Sequence, residues 1–142
     1  MIIGLGSDHG GFALKEELKK YVEELGYDVK DYGTHSTDSV DYPEFGKAVG
    51  QGVVKGEVDF GIVCCGSGIG ISIAANKVKG IRCAQVWEPY GAKMCRRHNN
   101  ANMISLGGRM VGLDMAKECV RAFLTTDFEG GRHERRVAKL EG

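Results

Sequence analysis

The sequence predicts a three-layer α/β/α sandwich on a five-stranded parallel sheet, and three observations predict it. The spacing of apolar residues switches repeatedly between the strand and the helix period. Each of five short apolar or alternating runs is followed by a helix-spaced segment. The third run, VDFGIVCC, is continuously apolar after Asp59, as a strand covered on both faces must be. Strands alternating with helices make right-handed βαβ units whose strands lie parallel.

The elements follow in order. Residues 2–6 form the first strand, and Leu14, Leu18, Tyr21, Val22 and Leu25 then recur at helical spacing before Gly26, a residue suited to ending a helix. Residues 27–32 alternate as a strand, and residues 33–42 are a polar loop. Pro43 suits the first turn of a second helix reaching about residue 55, although Gly46, Gly50 and Gly52 weaken it. Strands over 58–65, 81–87 and 103–106 precede helices over 69–77, 89–97 and 113–124, and the charged tail ends in a short helix. No linker or repeat interrupts residues 1–142, which read as a single domain. The expected strand order is 2-1-3-4-5, that of Rossmann-like and flavodoxin-like sheets. Ligands then bind beyond the carboxyl ends of the strands, in the crevice between strands one and three.

Charge and cysteine usage exclude several classes. Lys plus Arg and Asp plus Glu both total 19, which argues against a general binder of nucleic acid or anionic membranes. The start, MIIGLGSDHGG, reaches Asp8 and His9 too soon for a signal peptide, and no apolar run approaches the ~20 residues of a membrane span. The five cysteines are an odd number with no C-x-x-C pair. A disulfide framework or structural zinc site is therefore not expected, and a reducing cytoplasm fits best.

Four stretches carry candidate chemistry. In C-G-S-G-I-G, residues 65–70, small residues let the backbone approach a ligand, and the helix that follows aims free N–H groups at it. The spacing is not that of a nucleotide-binding loop, so Gly66, Ser67, Gly68, Ile69 and Gly70 read either as an anion site or as a tight strand-to-helix turn. Cys65 opens that helix, where the dipole and nearby amides favour a thiolate, whereas Cys64 alternates into the core. Asp8 and His9, in S-D-H-G-G after strand one, face the same crevice; Asp8 serves either as a helix cap or as a ligand contact. His98, in R-R-H-N-N, reads as lying at the carboxyl edge of the sheet, where it suits a general acid, with Asn99 beside it for sugar hydroxyls. Finally, Arg132 and Arg136 are one helical turn apart and form a fork for a phosphate, and Arg109 in G-G-R follows strand five. Glu129 and Glu134 offer those tail arginines an ordinary salt-bridged alternative. No residue set has workable metal-ligand spacing, so no metal is expected.

The stretches SDHGG, DYP, CGSGIGISIAANK, EPY, RRHNNANM, LGGRMVG and FEGGRH together resemble the B-type ribose-5-phosphate isomerases, a family with allose-6-phosphate and galactose-6-phosphate isomerase relatives. The resemblance runs from about residue 6 to about residue 136. It implies a parallel α/β sandwich, a homodimer or tetramer whose tail (residues 125–142) docks on a partner subunit, and no metal or cofactor. By resemblance, Cys65 is the proton acceptor and His98 the ring-opening donor, and residues 66–70 form the anion hole. Asp8, His9, Asn99, Arg109, Arg132 and Arg136 then contact substrate. Ser67 stands where many members carry threonine, and Ala74 stands where some carry a carboxylate base. The implied reaction interconverts ribose 5-phosphate and ribulose 5-phosphate. The alternatives are an allose-6-phosphate isomerase, a galactose-6-phosphate isomerase subunit, and a non-catalytic phosphosugar-binding module.

Overall fold

Five parallel strands, β1 (Ile2–Ser7), β2 (Asp28–Asp31), β3 (Phe60–Cys65), β4 (Cys83–Gln85) and β5 (Met103–Gly107), alternate with helices in the computed structural model, which describes residues 1–142. The helices are α1 (Phe12–Glu24), α2 (Tyr42–Val54), α3 (Ile69–Asn76), α4 (Pro89–Asn99), α5 (Leu113–Thr125) and α6 (Arg132–Glu141). Successive strand side chains point to opposite faces, and this sorts the core into two layers. Ile62 and Cys64 pack with α1, α4 and α5, while Val63 and Cys65 pack with α2 and α3. The glycines that weaken α2 as an isolated helix let it lie close to α3: a Cβ at Gly46 would come within 2.8 Å of the Ile71 carbonyl oxygen. No helix is long and apolar enough to cross a membrane.

The strand order is β2-β1-β3-β5-β4, which corrects the expected 2-1-3-4-5 at its far end. Interior positions go to strands that can be buried on both faces. All five residues of Met103–Gly107 are buried, whereas Cys83–Gln85 is three half-buried residues flanked by Arg82. The short polar strand takes the edge, where unpaired backbone groups are tolerated best. Consequently Cys65 pairs in register with Gly107, and the turn after β5 lies beside the turn after β3.

The end of β1 is fixed by a buried ion pair. Lys15 Nζ, completely inaccessible, donates to Asp31 Oδ1 at 2.8 Å and to the Thr34 carbonyl, and Lys19 Nζ reaches Asp31 Oδ2 at 2.9 Å. The chain at Gly33–Thr34 in turn brackets Ser7 with two backbone hydrogen bonds of 2.7 Å. Burial alone would raise the Asp31 carboxyl, but bonds from Lys15, the Gly33 amide and Lys19 outweigh it and hold it below the usual carboxylate range. With a lowered folded-state value, the stabilisation is present above the ordinary carboxylate range and is lost as pH falls through the lowered one. Asp31→Asn is therefore expected to cost about 3 kcal/mol at pH 7, because it strands a buried lysine charge. The gap from the parent should narrow below about pH 4. Urea unfolding at neutral and acid pH checks this; an equal gap at both would assign the cost to packing instead of charge.

Candidate active site

Three adjacent strands end at the same edge, and the turns that follow them form one cleft. Asp8 follows β1, Cys65 ends β3, and Arg109 follows β5. Asp8, Cys65, Gly66, Ser67, Gly70 and Arg109, together with Tyr42 and Met110, line a cleft of about 430 Å³. The crevice between strands one and three therefore exists, and β5 supplies its third wall.

The loop between β3 and α3 turns at Gly68, whose φ is +79°. A Cβ there would lie 2.8 Å from the Leu106 carbonyl carbon, so both the left-handed backbone and the close approach demand glycine. The turn aims the Gly68 N–H at Cys65 Sγ, 3.1 Å away. A donor thus stands where negative charge on sulfur would need one. The Ile69 N–H donates to Ser67 Oγ at 3.2 Å, a local bond across the turn that leads into α3. From the neighbouring turn, the Gly108 N–H donates to the Cys65 carbonyl at 2.8 Å and the Arg109 N–H to the Gly66 carbonyl at 3.0 Å. The Arg109 guanidinium then lies against Gly66. On the far side, Gln85 Nε2 donates to the Ser67 carbonyl at 2.9 Å, so the edge strand orients the loop's peptides. Gln85→Leu is expected to lower kcat/KM about fivefold, the equivalent of ~1 kcal/mol for one lost hydrogen bond. Steady-state kinetics against the parent checks it, and an unchanged kcat/KM would remove Gln85 from any positioning role.

Asp8 is a cap, and it also faces the cleft. Oδ1 accepts the Gly11 N–H at 3.1 Å and caps a short 3₁₀ turn, while the side chain also lines the cleft. Next to it, the Val40 N–H donates to His9 Nδ1 at 3.2 Å. Nδ1 is therefore the acceptor, and Nε2 of the neutral ring carries the proton. The remaining cysteines are structural. Burial pushes the Cys64 and Cys83 thiols far up, and raises Cys95 and Cys119 to about 11, so all four stay protonated at neutral pH.

The other expected site residues lie elsewhere. A helix that follows a parallel strand runs back along the sheet, so α4 starts at the carboxyl edge and ends about 16 Å away, at the amino edge. His98 therefore stands at the opposite end of the sheet from Cys65, which corrects its expected placement. There the side chains of His98, Asn99 and Arg136 line a separate hollow of about 310 Å³ with His133. Arg132 is exposed at the start of α6, and α6 packs on α4. The His98 ring stacks on that of His133, with centroids 4.4 Å apart and planes 14° from parallel. A larger cavity of about 490 Å³ nearby contains Arg82, but that side chain is consumed by the Asn99 and Asn100 carbonyls and by Glu141. Sequence reasoning assigned no role to Tyr42, Gln85 or His133. Tyr42 had a signal in its place directly before Pro43, in the loop leading back to the crevice; the contacts of Gln85 and His133 join residues far apart in the chain and left none.

A thiol, a carboxylate and a guanidinium gathered beside backbone amides, at the carboxyl edge of a parallel α/β sheet, are groups suited to moving protons on a small anionic molecule, and the comparisons make the class an isomerase. Residues 3–140 match the family described as Ribose/Galactose Isomerase, and the chain belongs to it. It is 49% identical over 138 residues to ribose-5-phosphate isomerase B of Escherichia coli (strain K12), covering 97% of this chain and 93% of that one. The solved ribose-5-phosphate isomerase B of Clostridium thermocellum superposes with a TM-score of 0.98 at 54% identity, covering 99% of this chain and 95% of that chain. A ribose 5-phosphate isomerase of Thermotoga maritima matches with a TM-score of 0.96 at 48% identity, over 99% and 97% of the two chains.

Proposed function

We propose that this isomerase interconverts D-ribose 5-phosphate and D-ribulose 5-phosphate, with Cys65 as the base and His98 of a second copy as the acid that opens the sugar ring. The observation that carries the reading is the Gly68 N–H donating to Cys65 Sγ inside the cleft that also holds Asp8, Ser67 and Arg109, in a chain so similar to ribose-5-phosphate isomerases.

The reaction removes hydrogen from C2 of the aldose and returns it to C1 of the ketose, so it needs no external oxidant or reductant. His98 protonates the ring oxygen while the C1 hydroxyl gives up its proton to water, the bond from C1 to the ring oxygen breaks, and the open aldehyde forms. The Cys65 thiolate takes the C2 proton, and the resulting enediolate is stabilised by the amides of residues 66–70, with Arg109 opposite. One such donor is worth about 3 kcal/mol of barrier lowering. The same sulfur then delivers the proton to C1 as a proton passes from the C2 hydroxyl to O1, which leaves the carbonyl at C2. Asp8, His9 through its Nε2–H, and Asn99 hold hydroxyls, while Arg132 and Arg136 hold the phosphate and convert its binding energy into positioning.

A second copy is needed because His98, Asn99 and Arg136 lie a sheet's length from Cys65 in their own chain. Exposed apolar side chains near the cleft, Tyr42, Ile69 and Ile73 among them, and the short edge strand β4 support a homodimer in which each amino-edge group closes the other copy's cleft. The tail, residues 125–142, is then the docking element of a single domain that spans the chain. The setting is the cytoplasm, and no cofactor enters the chemistry.

Turnover of ribose 5-phosphate and allose 6-phosphate, measured side by side with chelator present, tests the substrate. A clear preference for the pentose is expected; a preference for the hexose would keep the residue roles and move the substrate. Inactivity on both would overturn the reading.

A further inference from the structure

The histidine pair at the amino edge has a third neighbour. Nε2 of His133 is buried, in a side chain only 7% exposed, and has no hydrogen-bond partner; Glu129 Oε1 lies 3.6 Å away. One donor atom from each of His98, Glu129 and His133 lies within 4.8 Å of the other two. Their backbones are already held. The Glu129 N–H donates to the Arg97 carbonyl at 3.1 Å, tying the tail to α4, and the His133 N–H donates to the Gly130 carbonyl at 3.1 Å.

We propose that His98, Glu129 and His133 form a reversible site for a divalent transition-metal ion of the zinc class, and that an ion held there inhibits the isomerase by taking His98 out of ring opening. Two imidazoles and one carboxylate are a donor set that zinc, cobalt and nickel accept, with an open position for water. A buried, unpartnered imidazole nitrogen beside an exposed carboxylate is half of such a sphere before an ion enters. With metal–ligand bonds of about 2.0–2.1 Å, the donors must close to roughly 3.3 Å from one another. Rotation of the exposed Glu129 and a tilt of the stacked rings supply that contraction. Arg136 lines the same hollow, and its charge opposes the cation, which suits a reversible site better than a resident metal. The inhibitory half rests on His98 being the acid proposed above; the binding half does not.

Cobalt(II) chloride titrated into the metal-free full chain tests both halves. Expected are a single bound equivalent, visible d–d bands, and no thiolate-to-cobalt charge-transfer band. Glu129→Gln should weaken binding by about tenfold or more and leave metal-free turnover unchanged. In the parent, saturating cobalt should lower ribose 5-phosphate turnover by about 100-fold, the low end of what a positioned general acid supplies. Chelation should restore it, and Glu129→Gln should need about tenfold more cobalt, or more, to reach the same loss. A charge-transfer band would put the ion on a cysteine, and unchanged affinity in Glu129→Gln would remove the carboxylate; either overturns the site. Binding through Glu129 with full turnover would overturn the inhibition alone. A parent that turns over no phosphosugar would count against the proposed reaction, while the cobalt spectra would still decide the site.

Discussion

Cys65→Ala is expected to lower kcat for ribose 5-phosphate by on the order of 10³-fold or more, the range a general base contributes, while the sugar phosphate still binds. The sulfur touches the reacting carbons only during proton transfer, so calorimetric affinity should change little. Arg109 and the loop amides remain in place, because Gly66 and Ser67 are held by backbone bonds and by Gln85 rather than by the thiol. Exchange of the C2 hydrogen with deuterated solvent should vanish together with turnover. Cys64→Ala provides the contrast. That side chain is fully buried in the opposite layer with Ile62, so it should cost about 1 kcal/mol of stability and leave kcat unaltered. Full activity in Cys65→Ala would refute the thiolate base.

The second large effect is a recovery. Cys65→Ala and His98→Asn proteins should each be nearly inactive alone. Unfolded together and refolded as a mixture, they should regain about a quarter of the parent activity. In a symmetric dimer with sites assembled from both copies, random pairing makes half of the dimers hybrid, and each hybrid has one site with both groups intact and one with neither. From a starting level reduced by ~10²–10⁴-fold, the rise is unmistakable. If Cys65 and His98 served the same cleft within one chain, no pairing could restore a site and the mixture would stay inactive.

Much of the cleft was legible from local pattern, and the reasons are physical. Period-two alternation puts Cys64 and Cys65 on opposite faces whatever the neighbours are, and the core layers separate them as that rule requires. The turn C-G-S-G announces a close backbone approach, and Gly68 meets one. Pairing order was less accessible, because periodicity identifies strands without saying which ones touch. The clue was comparative: MISLG is a five-residue run with no charged residue, whereas β4 is three residues long, starts directly after Arg82 and ends on the polar Gln85. His98 was misplaced although the rule that a return helix runs antiparallel to its strands was available. Its stacking with His133 crosses 35 positions of chain (133 minus 98), and no spacing argument reaches that far.

The insertion of β5 between β3 and β4 also has a consequence for synthesis on the ribosome. When Cys65 has emerged, β3 can pair with β1, but its other side is an open edge with unpaired amides and carbonyls. Its rightful neighbour ends at Gly107, 42 residues later (107 minus 65). At ~5–20 residues per second, that edge waits roughly 2–8 s. In the interval the first strand to appear is β4, three residues long and bordered by Arg82. Such a strand offers too few backbone bonds to hold a place it must later give up. The brevity that sends β4 to the margin of the finished sheet thus also keeps it from blocking the nascent one.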